Sequence, residues 1–286
     1  MTGEQAAIKV AGMVTLYNSE RSVLQRIRTY IHQVDVVYAV DNSEEVDNDL
    51  INSILVMYPT VRYINNGGNK GIAYALNIAA KAAIDDQFEY LLMMDDDSET
   101  PANLVSVLSD VFRKRDNLGI VSAQSDYSVQ RDDEQEVNTT ITSGSLLNLR
   151  AYKAVGPFLD ALFIDWVDHE YCFRLAAHNY GIVVVNQLKL NHRLGIFREK
   201  RLFNHVFIRW RSHNPKRLYY KFRNSLYVMN QYGRQLQLPF MMSVYYELFR
   251  DFLKILFVED DKRLYMSLVT RGIQDAYRKK LGKLLE

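Results

Sequence analysis

The chain has 286 residues, 48% of them apolar and 24% charged, and a net charge of +1. That length holds one large α/β domain with an appendage, or two modest domains, and the balanced charge excludes a global pull toward nucleic acid. A single cysteine, Cys172, excludes an internal disulfide and a cysteine-based zinc cluster, and suits a reducing compartment.

In chain order, Ile8 to Leu16 reads as a strand and Ser19 to Gln33 as a helix. Val34 to Val40 is a second strand ending at Asp41, followed by a helix over Asp47 to Met57. Val61 to Ile64 is a short third strand, and Ile72 to Ile84 an Ala-rich helix. Leu91-Leu92-Met93-Met94, preceded by Phe88, Glu89 and Tyr90, reads as a buried fourth strand; Pro101 to Arg115 is the next helix and Leu118 to Gln124 a fifth strand. Strand and helix alternating in this way predict a mostly parallel central sheet flanked by helices. Asp126 to Glu136 is polar and reads as a surface loop. Strand character resumes over Val137 to Leu149, a helix is expected over Phe163 to Tyr180 with Gly181 as its C-cap, and Ile182 to Leu190 returns to strand. From about Phe197 amphipathic helices rich in Tyr, Phe, Arg and Lys are expected to Glu286, with a boundary near residue 200. The expected organisation is a ligand-binding and catalytic domain over 1–200 and a helical region over 201–286.

The fourth strand opens into Asp95-Asp96-Asp97-Ser98. Three carboxylates in a row repel one another and call for a counterion. Asp95 and Asp97, at alternating positions of extended chain, face one side and are suited to a hard divalent cation. The bland reading is an acidic turn before a helix capped by Ser98 or Thr100. Three further polar clusters fall at strand ends: Thr15-Leu16-Tyr17-Asn18, Asp41-Asn42-Ser43, and Asn65-Asn66-Gly67-Gly68-Asn69-Lys70-Gly71. Open α/β sheets bind ligands there, so four such clusters suggest a continuous polar cleft. The glycine turn is neither a dinucleotide fingerprint nor a phosphate loop, which disfavours hydride transfer and ordinary ATPase chemistry. An aromatic ring at Tyr17, a carboxylate at Asp41, a cation at Lys70 and an acidic metal cluster fit a nucleotide diphosphate.

Thr-Leu-Tyr-Asn, Val-Asp-Asn-Ser, Asn-x-Gly-Asn-x-Gly-Ile-Ala-x-Ala-Leu-Asn and Met-Asp-Asp-Asp-Ser, in this order, resemble the family-2 nucleotide-sugar glycosyltransferases of GT-A fold. More narrowly the chain resembles bacterial rhamnosyltransferases of surface-polysaccharide synthesis, with Phe163 to Arg174, Tyr219 to Ser225 and Arg271 to Asp275 similar to their downstream motifs. The resemblance implies that Asp95 and Asp97 match a DxD motif holding Mg²⁺ or Mn²⁺ on the diphosphate, with Asp96 beside them. It implies that Asp41 and Tyr17 hold the base, and that Thr15, Asn66, Gly68 and Lys70 line the donor site. It places the catalytic base at Asp168; the usual Glu-Asp pair reads Val167-Asp168 here, so Asp165 and Glu170 remain alternatives. His192 falls where some members bring a histidine to the metal or the diphosphate. The implied reaction is an inverting transfer from dTDP-L-rhamnose, with UDP-galactofuranose as the rival donor, to a glycan on a polyprenyl lipid. A nucleotidyltransferase or a non-catalytic sugar-binding protein is the alternative of another class.

The N-terminal Met-Thr-Gly-Glu-Gln lacks a basic segment followed by an apolar core, so a cytoplasmic protein is expected. Leu238 to Phe257 is broken by Glu247, Arg250, Asp251 and Lys254 and is not expected to span a membrane. The basic, aromatic stretch Phe203 to Tyr232 reads either as core helices with snorkelling cations or as a peripheral face for the inner surface of an anionic membrane. Homo-oligomerisation is left open.

Overall fold

A computed structural model describes residues 8–124, 133–192, 197–202, 205–211 and 214–285; for 192, 197–202 and 205–211 it describes the backbone alone. The elements are β1 (Val10–Leu16), α1 (Val23–Tyr30), β2 (Val36–Asp41), α2 (Asn48–Met57), β3 (Val61–Asn65), α3 (Ile72–Asp85), β4 (Tyr90–Asp95) and β5 (Ser98–Glu99). They continue with α4 (Leu104–Lys114), β6 (Leu118–Gln124), β7 (Glu134–Glu136), β8 (Ser145–Asn148), α5 (Leu149–Val155), α6 (Val167–Ala177) and β9 (Gly181–Lys189). The last are β10 (Asn191–His192), β11 (Phe197–Leu202), β12 (His205–Arg211), α7 (Pro215–Tyr232), α8 (Leu238–Phe257) and α9 (Lys262–Tyr277). Two compact units result: Met1–Asp160 with Val167–Arg193, and Ala161–Trp166 with Leu194–Glu286.

The first unit is built on an eight-stranded sheet of order β3-β2-β1-β4-β8-β6-β9-β7. β3, β2, β1 and β4 are parallel neighbours, as are β6 and β9; β8 runs antiparallel to β4 and β6, and β7 antiparallel to β9. All seven residues of β1 are buried, as expected of a parallel strand covered on both faces. Each such Val, Met or Leu contributes about 1.5–3 kcal/mol on burial. The core continues through Ile27, Leu50, Ile54, Leu108 and Val121. Between β6 and β8, Gly144 takes φ +72°, and a Cβ there would meet Leu190 Cδ1 at 2.4 Å, so the bend requires glycine.

Several segments differ from the sequence expectation. Glu134–Glu136, at the end of the expected loop over Asp126 to Glu136, pairs with β9 as β7, while 126–132 lie outside the described residues. Gly181 opens β9 rather than capping the helix, which ends at Ala177. Strand character after Val137 is confined to β8, and Asn148 then caps a helix the pattern concealed, its side chain accepting from the Arg150 and Ala151 N–H groups. The helix expected from Phe163 begins at Val167, because Phe163, Asp165 and Trp166 all hold positive φ (68°, 59° and 67°). Among the described residues after Phe197, the first helix begins at Pro215. β11 and β12 pair antiparallel, and Val206, Phe207, Ile208 and Trp210 supply β-forming residues.

In the second unit α7, α8 and α9 enclose Leu218, Phe222, Met229, Val244, Leu248, Ile255, Tyr265 and Val269. Gly272 of α9 lets the α7 backbone come close; a Cβ there would lie 2.7 Å from the Tyr219 carbonyl oxygen.

Candidate active site

The carboxyl ends of four adjacent parallel strands meet in register. Asp95 of β4 pairs with Thr15 of β1, which pairs with Val40 of β2 and through it with Ile64 of β3. One residue further, Leu16 pairs with Asp41, and Asp41 with Asn65. Asp95 and Asp41 are therefore two strand spacings apart, about 10 Å. On the strand between them, Thr15 is in register with Asp95 and shares its face of the sheet; its hydroxyl is buried and without a hydrogen-bond partner among the described residues. An orphaned hydroxyl at a strand end asks for a polar ligand atom.

The loops beyond this row are stitched together by side chains. Asn42 Nδ2 donates to the Gly71 carbonyl (2.9 Å), while its Oδ1 accepts from Asn66 Nδ2 (2.8 Å) and from the Lys70 N–H (3.4 Å). The Asn18 N–H donates to Ser43 Oγ at 2.9 Å, with Asn18 at φ 48°. Asp41 is buried; its Oδ1 accepts from the Ser43 N–H (2.9 Å) and its Oδ2 from the Tyr63 hydroxyl (3.0 Å). Burial, and then that bond to a carboxylate, push the Tyr63 phenol up to about 12. Each Asp41 oxygen keeps a second lone pair for a ligand N–H. Tyr17 stands 48% exposed beside this row, open to a stacking partner. In the glycine turn Gly67 and Gly68 both have positive φ, and the exposed Lys70 carries its ammonium 5.0 Å from the Tyr74 ring centre.

The carboxylate cluster departs from the alternation expected of extended chain. β4 ends at Asp95, and Asp96 and Asp97 occupy a turn before β5. The Asp95 N–H donates to Ser143 Oγ (3.2 Å), while Asp97 Oδ1 accepts from the Ser98 hydroxyl (3.2 Å). Asp96 turns toward the first βα loop: its carboxylate accepts from the Ser19 hydroxyl, and its carbonyl from Arg26 Nη1 at 2.6 Å. Burial raises the Asp96 carboxyl and Asp97 adds to that, while the Ser19 and Tyr17 hydrogen bonds and Arg26 oppose it. Asp95 and Asp97 remain half-buried with hard oxygen donors. Two carboxylates suit Mg²⁺ or Mn²⁺ when diphosphate oxygens and water complete the shell. Among the described residues no group of three or more His, Cys, Asp or Glu forms a ready-made metal cage. The backbone of His192 pairs with Ser98, next to Asp97; its side chain lies outside the described residues.

Of the three carboxylates proposed for proton transfer, two are engaged by cations. Glu170 is buried and held by Arg174 at 3.0 and 2.8 Å. Asp165 accepts from Arg217 at 3.1 Å. Asp168, in the first turn of α6, accepts only from the His169 N–H at 2.8 Å among the described residues. His169 lines a cavity of about 200 Å³ with Gln124, Thr139, Thr140 and Ile141. The chain between Thr140 and Ser143 thus reaches both this helix start and the Asp95 backbone.

Residues 13–164, just over half of the chain, match the family described as Glycosyl transferase family 2. The chain belongs to that family. This glycosyltransferase is 26% identical over 260 residues to the dTDP-rhamnosyl transferase RfbF of Shigella flexneri, across 82% of this chain and 83% of the relative. Its fold is similar to that of GalNAc-T7 with UDP, GalNAc and Mn²⁺, at 12% identity and a TM-score of 0.62, covering 96% of this chain and 58% of that one. It is similar to S. aureus TarS with UDP-GlcNAc (14%, TM-score 0.60, 94% and 82%). It is also similar to the mannosyltransferase PcManGT of Pyrobaculum calidifontis with GDP-Man and Mn²⁺ (14%, TM-score 0.61, 98% and 77%). These likenesses show the GT-A fold, in agreement with the expected fold class.

Two residues of the glycosyltransferase that site reasoning passed over are Arg223 and Asn224 of α7, both buried. Asn224 Nδ2 lies 2.9, 2.7 and 2.9 Å from the carbonyl oxygens of Leu162, Ile164 and Asp165. Arg223 donates to the carbonyls of Leu162 (2.9 Å) and Gly282 (2.6 Å). They brace the segment 161–166, in which Phe163, Asp165 and Trp166 are left-handed. Their adjacency within Tyr219 to Ser225 was the available signal; what they bind was not.

Proposed function

We propose that this glycosyltransferase moves L-rhamnose from dTDP-L-rhamnose, with inversion, to a hydroxyl of a growing surface glycan on a polyprenyl lipid. The observation that carries the donor half is the row of adjacent strand ends that brings Asp95 of β4, Thr15 of β1 and Asp41 of β2 to one edge of the sheet. The name of the Shigella flexneri relative, a dTDP-rhamnosyl transferase, supports the sugar and nucleotide. The Mn²⁺ in two fold neighbours supports a divalent cation.

Asp41 accepts a hydrogen bond from the pyrimidine N–H, and Tyr17 stacks on the base. Thr15, Asn66 and the Gly68 backbone orient the donor, and Lys70 offsets phosphate charge. Asp95 and Asp97 hold Mg²⁺ or Mn²⁺, and Asp96, tied to Ser19 and Arg26, fixes the turn that carries them. A divalent cation there stabilises the negative charge that builds on the departing diphosphate. Asp168 takes the proton of the acceptor hydroxyl as its oxygen bonds to the anomeric carbon and the bond from that carbon to the diphosphate oxygen breaks. The lipid-linked acceptor brings the enzyme to the cytoplasmic face of the membrane as a peripheral protein.

A thermal-shift panel of UDP, dTDP, GDP and NAD with Mn²⁺ or Mg²⁺ tests this reading. Metal-dependent stabilisation by dTDP above UDP is the expected result. UDP above dTDP assigns a UDP-sugar such as UDP-galactofuranose instead. No stabilisation by any nucleotide overturns the donor site.

A further inference from the structure

Helix α8 has more apolar surface than its packing uses. Val244, Leu248, Asp251 and Ile255, at spacings of four, three and four, are buried in the helical unit. Leu238, Met242, Tyr245, Tyr246, Phe249 and Phe257 are each more than half exposed. At about 100° per residue these six share an arc of about 120°, separate from the buried stripe. Arg250 borders the arc, exposed and in no ion pair among the described residues. Glu247, on the remaining surface, is matched by Lys221, and the buried Asp251 by Lys221 and Lys254. No helix among the described residues is long and apolar enough to cross a membrane. An exposed apolar arc with a basic border, on a helix that does not span, suits the plane of a bilayer interface.

Charge selects among occupants. Residues 214–285 carry fourteen Lys and Arg against six Asp and Glu, in a chain whose whole net charge is +1. A second copy meeting this face would oppose two strongly cationic units. An anionic lipid surface attracts the same unit while its acyl chains receive the arc.

We propose that α8 is the membrane-docking element, lying in the plane of an anionic leaflet with Met242, Tyr245, Tyr246 and Phe249 inserted and Arg250 at the headgroups. This rests on the reading of a lipid-linked acceptor and names the surface that meets its membrane. The test is co-sedimentation of the full chain with vesicles of equimolar phosphatidylglycerol and phosphatidylcholine, against vesicles of phosphatidylcholine alone. Binding to the anionic vesicles, weakened by salt and reduced roughly tenfold or more by Met242→Glu with Phe249→Glu, is expected. Arg234→Glu with Arg250→Glu, which leaves the apolar arc intact, should weaken binding to anionic vesicles alone.

Absence of binding by the wild-type chain, or undiminished binding by both double variants, overturns the proposal. A concentration-dependent dimer that Met242→Glu with Phe249→Glu abolishes would assign the face to a second copy instead. Nucleotide-dependent thermal shifts of the same proteins keep the two readings apart: a chain that binds dTDP with Mn²⁺ but no vesicle loses only the docking proposal.

Discussion

The two units distribute polarity in opposite ways. In the sheet unit the interior is mostly apolar, from β1 through Leu92 and Met94 to Val121, with the paired Glu170 as an exception, and the candidate site's polar groups sit at the strand ends. In the helical unit Arg223, Asn224, Asp251 and Asp275 are buried, while Met242, Tyr246 and Phe249 are exposed. The buried groups there are matched: Asn224 by three carbonyls, Asp251 by Lys221 and Lys254 at 2.7 and 3.0 Å, and Asp275 by the Tyr219 hydroxyl at 2.8 Å. The contrast teaches where to look for function. In the sheet unit the informative group is an unmatched polar atom, Thr15 Oγ1. In the helical unit it is unmatched apolar surface.

Substitutions sharpen this contrast, because rim changes should cost activity and interior polar changes should cost stability. Asp97→Ala should reduce metal-dependent transfer by about 10³-fold, leaving the melting temperature nearly unchanged. Transfer at the wild-type rate would remove Asp97 from the site. Next in size, Asp168→Asn should keep nucleotide binding and lower kcat by about 10²- to 10³-fold. Glu170→Gln, which breaks the buried pair with Arg174, should mainly lower stability. A reversal of those two outcomes would move the base to Glu170.

Asn224→Ala removes the donor of the Ile164 and Asp165 carbonyls and one of those on Leu162, which keeps Arg223, and should destabilise the helical unit by about 3 kcal/mol, read from chemical denaturation. An unchanged midpoint would show that the left-handed segment holds itself. Asp251→Asn should cost about 2 kcal/mol at neutral pH. Burial alone would raise the Asp251 carboxyl, but the hydrogen bonds and charges of Lys221 and Lys254 outweigh it and bring it below the ordinary range. Its contribution is therefore present above the unfolded value of about 3.9 and is lost as pH falls through the lower folded value. Wild type and variant should converge in acid; a gap that persists there would mean that packing, not charge, is at stake.

Much of the sheet unit was legible because its rules are local. Apolar runs of strand length, separated by amphipathic helices, specify a mostly parallel sheet, and a polar cluster after each strand falls on one edge by the geometry of βα units. The expected strand over Leu118 to Gln124 agrees with β6 residue for residue. Legibility failed where a backbone is set by distant partners. Phe163, Asp165 and Trp166 look helical by composition, yet are held left-handed by donors from α7, some sixty residues away. It failed again within the acidic triplet, where Ser19 and Arg26 draw Asp96 into the first βα loop and end the strand at Asp95.

By itself, then, the sequence determined the fold class, the family resemblance and the candidate residues of the donor rim, because residue type and spacing carry that information. Only the tertiary structure decided that Asp165 and Glu170 are engaged by arginines while Asp168 meets none among the described residues, that Thr15 has no hydrogen-bond partner among them, and which face of α8 remains uncovered. Those properties belong to pairs of residues far apart in the chain, and a one-dimensional pattern does not record who meets whom.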